Sequence, residues 1–238
     1  MAGRAGALAA PAGDRADAVS GTLPPLLALP DAEALADLAT FVGRAGRVDP
    51  DGACRLVASG AVLAAYVSPV HGGGGPTVLG LRVLALAAPA DLDATVALAA
   101  LLERFARVSA DTGSAALPVP PVPAVASWAG VSPPRAGWDA VGLLDAAALR
   151  ASAAAGVGEI AAGVPAGAGA HAVARLRGQV WGRPLTPDLP DVPAGTAFAA
   201  DALGFLDDAE PVALYRAGPW VRATTRRGHV LARRPALL

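Results

Sequence analysis

Apolar residues recur with helical spacing after Asp31, and the pattern then changes to short runs that are typical of strands. Asp31 can cap a helix, because Leu35, Leu38 and Phe41 follow it on one helical face. Three runs rich in alanine, valine and leucine come next, and the turn pair Ser59-Gly60 separates the first two. The runs predicted to be strands are residues 53–58, 61–68 and 77–87.

A second helix is predicted to follow these runs, with Asp93 as its N-cap and with Leu98 and Leu101 on its apolar stripe. Residues 25–110 are therefore predicted to form an α-β-β-β-α domain. Residues 1–24 consist mainly of alanine, glycine, proline and aspartate without periodicity, which predicts a disordered tail.

Residues 111–137 are rich in proline, which favours polyproline II structure and predicts a semi-rigid linker. Residues 138–238 are predicted to form a second domain, helical at first and ending in a three-stranded β-meander. Its three helices are expected at about 145–164, 168–181 and 196–206, and Asp145 can cap the first of them. Its strands are expected at 212–216, 220–225 and 229–233, with turns at Gly218-Pro219 and Arg227-Gly228. The sequence therefore predicts an α+β protein with two small domains.

Charge is distributed unevenly along the chain. The 238 residues carry a formal net charge of −1 at pH 7, yet residues 211–238 contain six arginines and no acidic residue. A basic meander could bind the phosphates of a nucleic acid through charge and counterion release. The simpler interpretation is that the arginines pair with nearby acids or face solvent. The candidate polyanion-binding residues are Arg216, Arg222, Arg226, Arg227, Arg233 and Arg234.

Strand alternation assigns the residues of the meander to two faces. Val221 and Ala223 fall on one face, where they are expected to contribute to a small core. Arg222 and Arg226 fall on the other face, and Arg227 follows at the turn. We expect these arginines to project into solvent as a basic ridge, because burying an unpaired arginine is costly.

A winged helix-turn-helix is the DNA-binding architecture to test against three helices and a basic hairpin. Residues 196–206 offer only Thr196 and Asp201 as polar side chains for base edges or phosphates. The gap before this helix is also too long for the tight turn of that motif. Base readout by a recognition helix is therefore not expected.

Three local motifs invite a chemical interpretation and also have a structural one. Residues 72–75 are all glycine, but the chain has no lysine and a strand is predicted next, so a loop tip is expected rather than a phosphate site. Asp111-Thr112-Gly113-Ser114 matches a short aspartic-protease tetrapeptide but lacks flanking strands. Arg82, in an apolar strand, is expected to face solvent or to anchor an acidic group together with Arg55.

Metal and nucleophile patterns are not found in the sequence. His71, His171 and His229 lie far apart, and none has a second ligand at helical spacing, so no metal or cofactor is expected. The single cysteine, Cys54, is expected to be a small apolar side chain within a strand. It cannot form a disulfide within the chain, which fits a reducing cytoplasm.

Three blocks of the sequence resemble an uncharacterised protein family of high-GC actinobacteria. They are VLGLRVLALAAP at 78–89, VWGRPL at 180–185 and GPWVRATTRRGHV at 218–230. The resemblance covers both predicted domains and implies no activity. It agrees with the two-domain organisation and with a cytoplasmic location.

These patterns favour a non-catalytic cytosolic interaction or regulatory module that binds a protein partner. The alternative is a nucleic-acid-associated protein that uses the arginine-rich meander for sequence-tolerant phosphate contact. An enzyme whose site assembles across the two domains comes third, because catalytic groups converge in space rather than in sequence. No membrane association is expected, since no apolar run reaches the length of a membrane span.

Overall fold

The computed structural model describes residues 24–110, 114–164, 167 and 169–233, and it confirms an α+β fold that ends in a three-stranded meander. The helices are α1 (Ala32–Val48), α2 (Leu98–Ala110), α3 (Ala146–Gly163), α4 (Ala170–Gly182) and α5 (Gly195–Ala202). The strands are β1 (Leu26–Ala28), β2 (Ala53–Val70), β3 (Thr77–Ala97), β4 (Ala116–Pro118), β5 (Asp139–Leu144), β6 (Val212–Ala217), β7 (Trp220–Thr225) and β8 (Gly228–Arg233).

One antiparallel sheet runs through both halves of the chain. Its strand order is β2-β3-β8-β7-β6-β5, and the short strands β1 and β4 pair separately. The two halves meet where β3 pairs with β8, from Thr77 opposite Arg233 to Leu81 opposite His229. The Pro-rich segment thus joins two halves that share a sheet through backbone hydrogen bonds.

The N-terminal half contains two long strands where three short ones were predicted. Ser59-Gly60 is not a hairpin turn, because β2 continues past it with a register shift between Gly60 and Val62. Gly60 has a φ of +58°, and a glycine in this conformation serves a bulge inside a strand as well as it serves a turn. Residues 25–110 therefore have the order β1-α1-β2-β3-α2: the predicted number of strands is right, but one strand precedes the first helix and two of the predicted strands are a single one.

The prediction that Asp93 caps a helix is also wrong. Asp93 lies inside β3 opposite Val57, and α2 begins only at Leu98, whose N–H donates to the carbonyl of Gly52. The carboxylate of Asp93 instead accepts two hydrogen bonds from Arg55 of the neighbouring strand. The two other predicted caps are confirmed, since the side chains of Asp31 and Asp145 accept hydrogen bonds from the first turns of α1 and α3.

Helices pack against one face of the sheet. Val221 and Ala223 are buried on this face, as predicted, in a core that includes Leu38 of α1, Trp181 of α4 and Leu203 just after α5. These side chains come from both halves of the chain, so the main core is also shared.

The Pro-rich segment covers part of the opposite face. Trp128 is buried there against Leu79, Trp220 and Leu231. The N–H of Ala124 donates to the carbonyl of Thr95 at 2.8 Å, which fixes the segment to β3. The molecule therefore has three layers: helices, a sheet and an irregular proline-rich cover.

Within the described residues, no helix combines the length and the apolar character that crossing a membrane requires. Three predictions fall wholly or mostly outside these residues. They are the disordered tail at 1–24, of which only Pro24 is described, the Asp111-Thr112-Gly113 part of the protease-like motif, and the role of Arg234.

Candidate functional site

A groove lies between the sheet and residues 133–135, on the face away from the helices. We call it the sheet groove; its volume is about 420 Å³, within the usual range for small-molecule sites. Its apolar floor consists of Val57, Val62, Ala64, Leu81, Val83 and Leu231. Val62 and Val83 keep 49% and 46% of their surface exposed, so apolar area is open to a ligand.

Polar side chains of one charge sign border this floor. Arg135, Arg222 and His229 line the groove together with Tyr66 and Ser59, and none of the described residues that line it is acidic. An apolar floor with cationic groups and without a carboxylate favours an anionic group over a cation.

Arg222 is the most constrained of these residues. Its guanidinium carbon lies 4.5 Å from the ring centroid of Trp138 and 4.6 Å from that of Tyr215. Its Nε is buried and has no hydrogen-bond partner among the described residues. Burial lowers the pKa of Arg222 from its ordinary value. The side chain is thus held in place by stacking, and one donor is left unsatisfied.

His229 and Tyr66 both favour their neutral forms in the groove. The pKa of His229 is lowered, first by burial and then by the positive charges of Arg222 and Arg82. The pKa of Tyr66 is raised, mainly by burial. The imidazole Nδ1 of His229 lies 3.1 Å from Oγ1 of Thr224. Near neutral pH the charge at the groove therefore comes from its two arginines.

Arg55 fixes the part of the Pro-rich segment that covers the groove; we call residues 124–137 the covering segment. Its NH1 donates to the carbonyl of Ala129 at 2.7 Å and to the hydroxyl of Ser132 at 3.0 Å, just before residues 133–135. Its other nitrogens bind the carboxylate of Asp93 at 2.7–2.8 Å, and this pairing lowers the pKa of Asp93. The guanidinium thus ties β2, β3 and the covering segment together.

One edge of the sheet lies beside the groove. Strand β2 is the outermost strand, and along its outer edge no described backbone group pairs with it. From Leu56 to Ser68 the strand contains neither a charged residue nor a proline. Ser59, Gly60, Ala61 and Val62 are exposed. Charge, proline and bulges are the usual protections of a free edge. This edge has a bulge at Gly60 but neither charge nor proline, so the stretches on either side of Gly60 are open to strand pairing.

The predicted basic ridge is not one continuous surface. Arg222 stacks between aromatic rings at the groove instead of projecting into solvent. At the turn, Arg226 pairs with Glu210 and Arg227 pairs with Asp207, each at 2.9 Å.

The two other described candidates, Arg216 and Arg233, lie on β6 and β8. Arg216 pairs with Asp191 at 3.1 Å, and Arg233 is half-buried on β8. The simpler interpretation of the charge pattern, pairing with nearby acids, thus holds for three of the candidates. Polyanion binding itself stays a prediction.

Arg82 and Arg55 do not form one site. Arg82 donates from Nε to Asp37 of α1 at 2.7 Å and also binds the carbonyl of Arg227, on the helix side of the sheet. Arg55 contacts the covering segment on the other side. The prediction that the two arginines jointly anchor an acid is wrong. Arg55 lies opposite Thr95 and Arg82 lies opposite Ala65, so the two are far apart along the paired strands, and their side chains leave opposite faces of the sheet.

The remaining candidates take up separate places. Residues 72–75 form the β2–β3 loop and contact α4, where the space for a Cβ on Gly75 is occupied 2.7 Å away by the Cα of Gly178. His71 lies in this loop region and His171 is on α4. Among the described residues no group of three or more metal-ligating side chains converges. Burial raises the pKa of the Cys54 thiol to about 12.

Sequence reasoning missed most of the groove. Arg135 and Tyr66 carry no local motif, and His229 was considered only as a metal ligand. Trp128 and Trp138 flank Pro133-Pro134, and these large apolar side chains are the signal in the sequence that the Pro-rich segment packs on the sheet.

Two family models match the chain, one over each of its two halves. Residues 24–130 match a family model described as a domain of unknown function (DUF8010), and residues 133–237 match another so described (DUF8185). Searches of curated proteins and of solved structures gave no significant match. The two matches meet within the Pro-rich segment, and together they support placing the chain in an uncharacterised two-domain family.

Proposed function

We propose that the protein is a non-catalytic interaction module that binds a protein partner by strand addition along the outer edge of β2. The observation that carries the proposal is the 18-residue length of this edge strand together with its uncharged, proline-free centre. Only a polypeptide supplies N–H and C=O groups at the spacing that such an edge presents.

The other sheet edge offers less for pairing. Strand β5 has six residues, a third of the length of β2, so it presents fewer backbone groups to a partner. A partner segment on β2 would also place alternate side chains beside the sheet groove, which could add specificity.

Site-specific photo-crosslinking tests this proposal. A benzophenone amino acid at exposed Ala61 should crosslink to one partner segment in native lysate, whereas the same probe at Leu143 of β5 should not. Excess unlabelled wild-type protein and a Leu143→Lys variant should compete, and an Ala61→Lys variant should not, because a charge blocks a free edge.

Equal adducts at both positions, or competition by the Ala61→Lys variant, would contradict strand addition at β2. If the adducts at position 61 join two copies of this chain, the partner in strand addition is a second copy and not another protein.

The nucleic-acid alternative has less support, because the arginines at 216, 226 and 227 are already paired with acids. Nucleic-acid binding at about 50 mM salt that weakens steeply as salt is added would favour it. A cytoplasmic location and an actinobacterial origin are part of the same proposal; they are supported by the single cysteine and by the resemblance of the three sequence blocks.

A further inference from the structure

We propose that the sheet groove is a binding site for a small amphipathic carboxylate, a single carboxylate carried on an apolar chain or ring. The proposal does not rest on strand addition at β2, since it concerns the face of the sheet and not its edge. It rests on the shape, the floor and the charge of the groove.

The aliphatic floor of the groove favours a ligand whose main part is apolar. Six aliphatic side chains form it, and Val62 and Val83 are about half exposed in the absence of a ligand. Removing exposed apolar area from water is favourable in proportion to the area covered, which favours a hydrocarbon chain or ring over a sugar or nucleotide. The volume of about 420 Å³ is enough for a ligand of this size.

The border selects a negative charge. Arg222 and Arg135 line the groove and none of the described residues in its lining is acidic, so the arginine charges have no counter-ion there. The buried Nε of Arg222 lacks a partner among the described residues, which marks an unmet donor at this position.

Stacking gives Arg222 the fixed orientation that carboxylate recognition needs. The guanidinium carbon lies 4.5 Å from the ring centroid of Trp138 and 4.6 Å from that of Tyr215, and these two contacts restrict its movement. A planar guanidinium fork binds a planar carboxylate through two parallel hydrogen bonds. Arg222 is held by two aromatic rings, whereas Arg135 is exposed, so the groove presents one fixed guanidinium fork, which matches one carboxylate. His229 favours its neutral form and adds no further positive charge.

Calorimetric titration with sodium decanoate tests this assignment. We expect saturable binding with one decanoate per chain, at least tenfold weaker binding of decanol, and no binding of decylamine. The Arg222→Gln variant should bind decanoate at least tenfold more weakly, whereas Arg175→Gln, which changes an exposed arginine of α4, should bind like wild type. Thermal melting verifies that each variant is folded.

A second variant keeps the test decisive if Arg222→Gln fails to fold. Val62→Asp places a carboxylate on an exposed part of the floor and should abolish decanoate binding without disturbing the core. Acetyl-leucyl-leucine, as free acid and as amide, shows whether a chain terminus can supply the carboxylate; binding of the acid alone supports the same class of ligand.

Two results would overturn the proposal: no decanoate binding by folded wild-type protein, or equal binding of decanoate and decanol. The Ala61→Lys variant should bind decanoate normally, so a failure here and a failure of strand addition are distinguishable.

Discussion

The guanidinium of Arg222 on β7 is held between the rings of Trp138 and Tyr215, at 4.5 and 4.6 Å from their centroids. Tyr215 lies directly opposite Arg222 on β6, whereas Trp138 lies just after the covering segment and directly before β5. This contact therefore fixes the end of that segment against β7 and restricts the movement of a cation of the groove.

The first prediction is an energetic coupling between Arg222 and Trp138. In a double-mutant cycle with Arg222→Met and Trp138→Leu, the coupling free energy between the two side chains should be about 0.5–1 kcal/mol. This is the usual range for a cation over an aromatic ring. Chemical unfolding of the four proteins measures it. Additive effects would mean that the ring merely fills space.

The second prediction concerns the docking of the Pro-rich segment. Trp128 is only 4% exposed, so Trp128→Ala should lower the free energy of unfolding by about 3–5 kcal/mol. Limited proteolysis should leave the wild type intact between residues 114 and 137 and cleave the variant there. Rapid cleavage of the wild type in this stretch would show that the segment is not docked.

The third prediction contrasts two helical glycines. A Cβ on Gly178 of α4 would lie 2.8 Å from the carbonyl oxygen of Gly73, so Gly178→Ala should destabilise the fold by about 1–3 kcal/mol. A Cβ on Gly158 of α3 meets nothing within 4 Å, so Gly158→Ala should stabilise it by about 0.4–1 kcal/mol. Melting temperatures that change in the same direction would contradict the contact between the glycine loop and α4.

The fourth prediction is a pH dependence at Asp93. The hydrogen bonds from Arg55 lower the pKa of Asp93 below its ordinary value of 3.8, so the ionised form is favoured in the folded state. The pair therefore stabilises the fold at neutral pH, and this contribution is lost as the pH falls through the lowered pKa.

Asp93→Asn should accordingly be less stable than wild type at pH 7, by less than about 1 kcal/mol because the pair is partly exposed to solvent. The difference should vanish in strong acid. Asp91→Asn, exposed on the same strand, serves as the control and should show no such trend.

Turns, helix caps and the faces of single strands were predicted from the sequence, because neighbouring residues determine them. The meander was visible because Gly218 and Gly228 mark its turns and alternating residues mark its faces. The cap at Asp145 was visible for the same kind of reason. By contrast, Ser59-Gly60 fits a turn and a bulge equally well, and only the pairing of β2 with β3 distinguishes them.

The groove could not be predicted in this way, because its parts come from separate regions. Tyr66, Arg135 and His229 lie on β2, in the covering segment and on β8, and they meet only because β3 pairs with β8. That pairing joins residues about 150 positions apart, which no local pattern encodes.

Hydrogen exchange along β2 tests the central claim, strand addition at its outer edge, most directly. Amide exchange is compared in the free protein and in its complex with the partner identified by crosslinking at position 61. We predict that amides within residues 56–68 exchange more slowly in the complex, while those of β5 are unchanged. Unchanged exchange within residues 56–68 in a complex that has demonstrably formed would contradict the account.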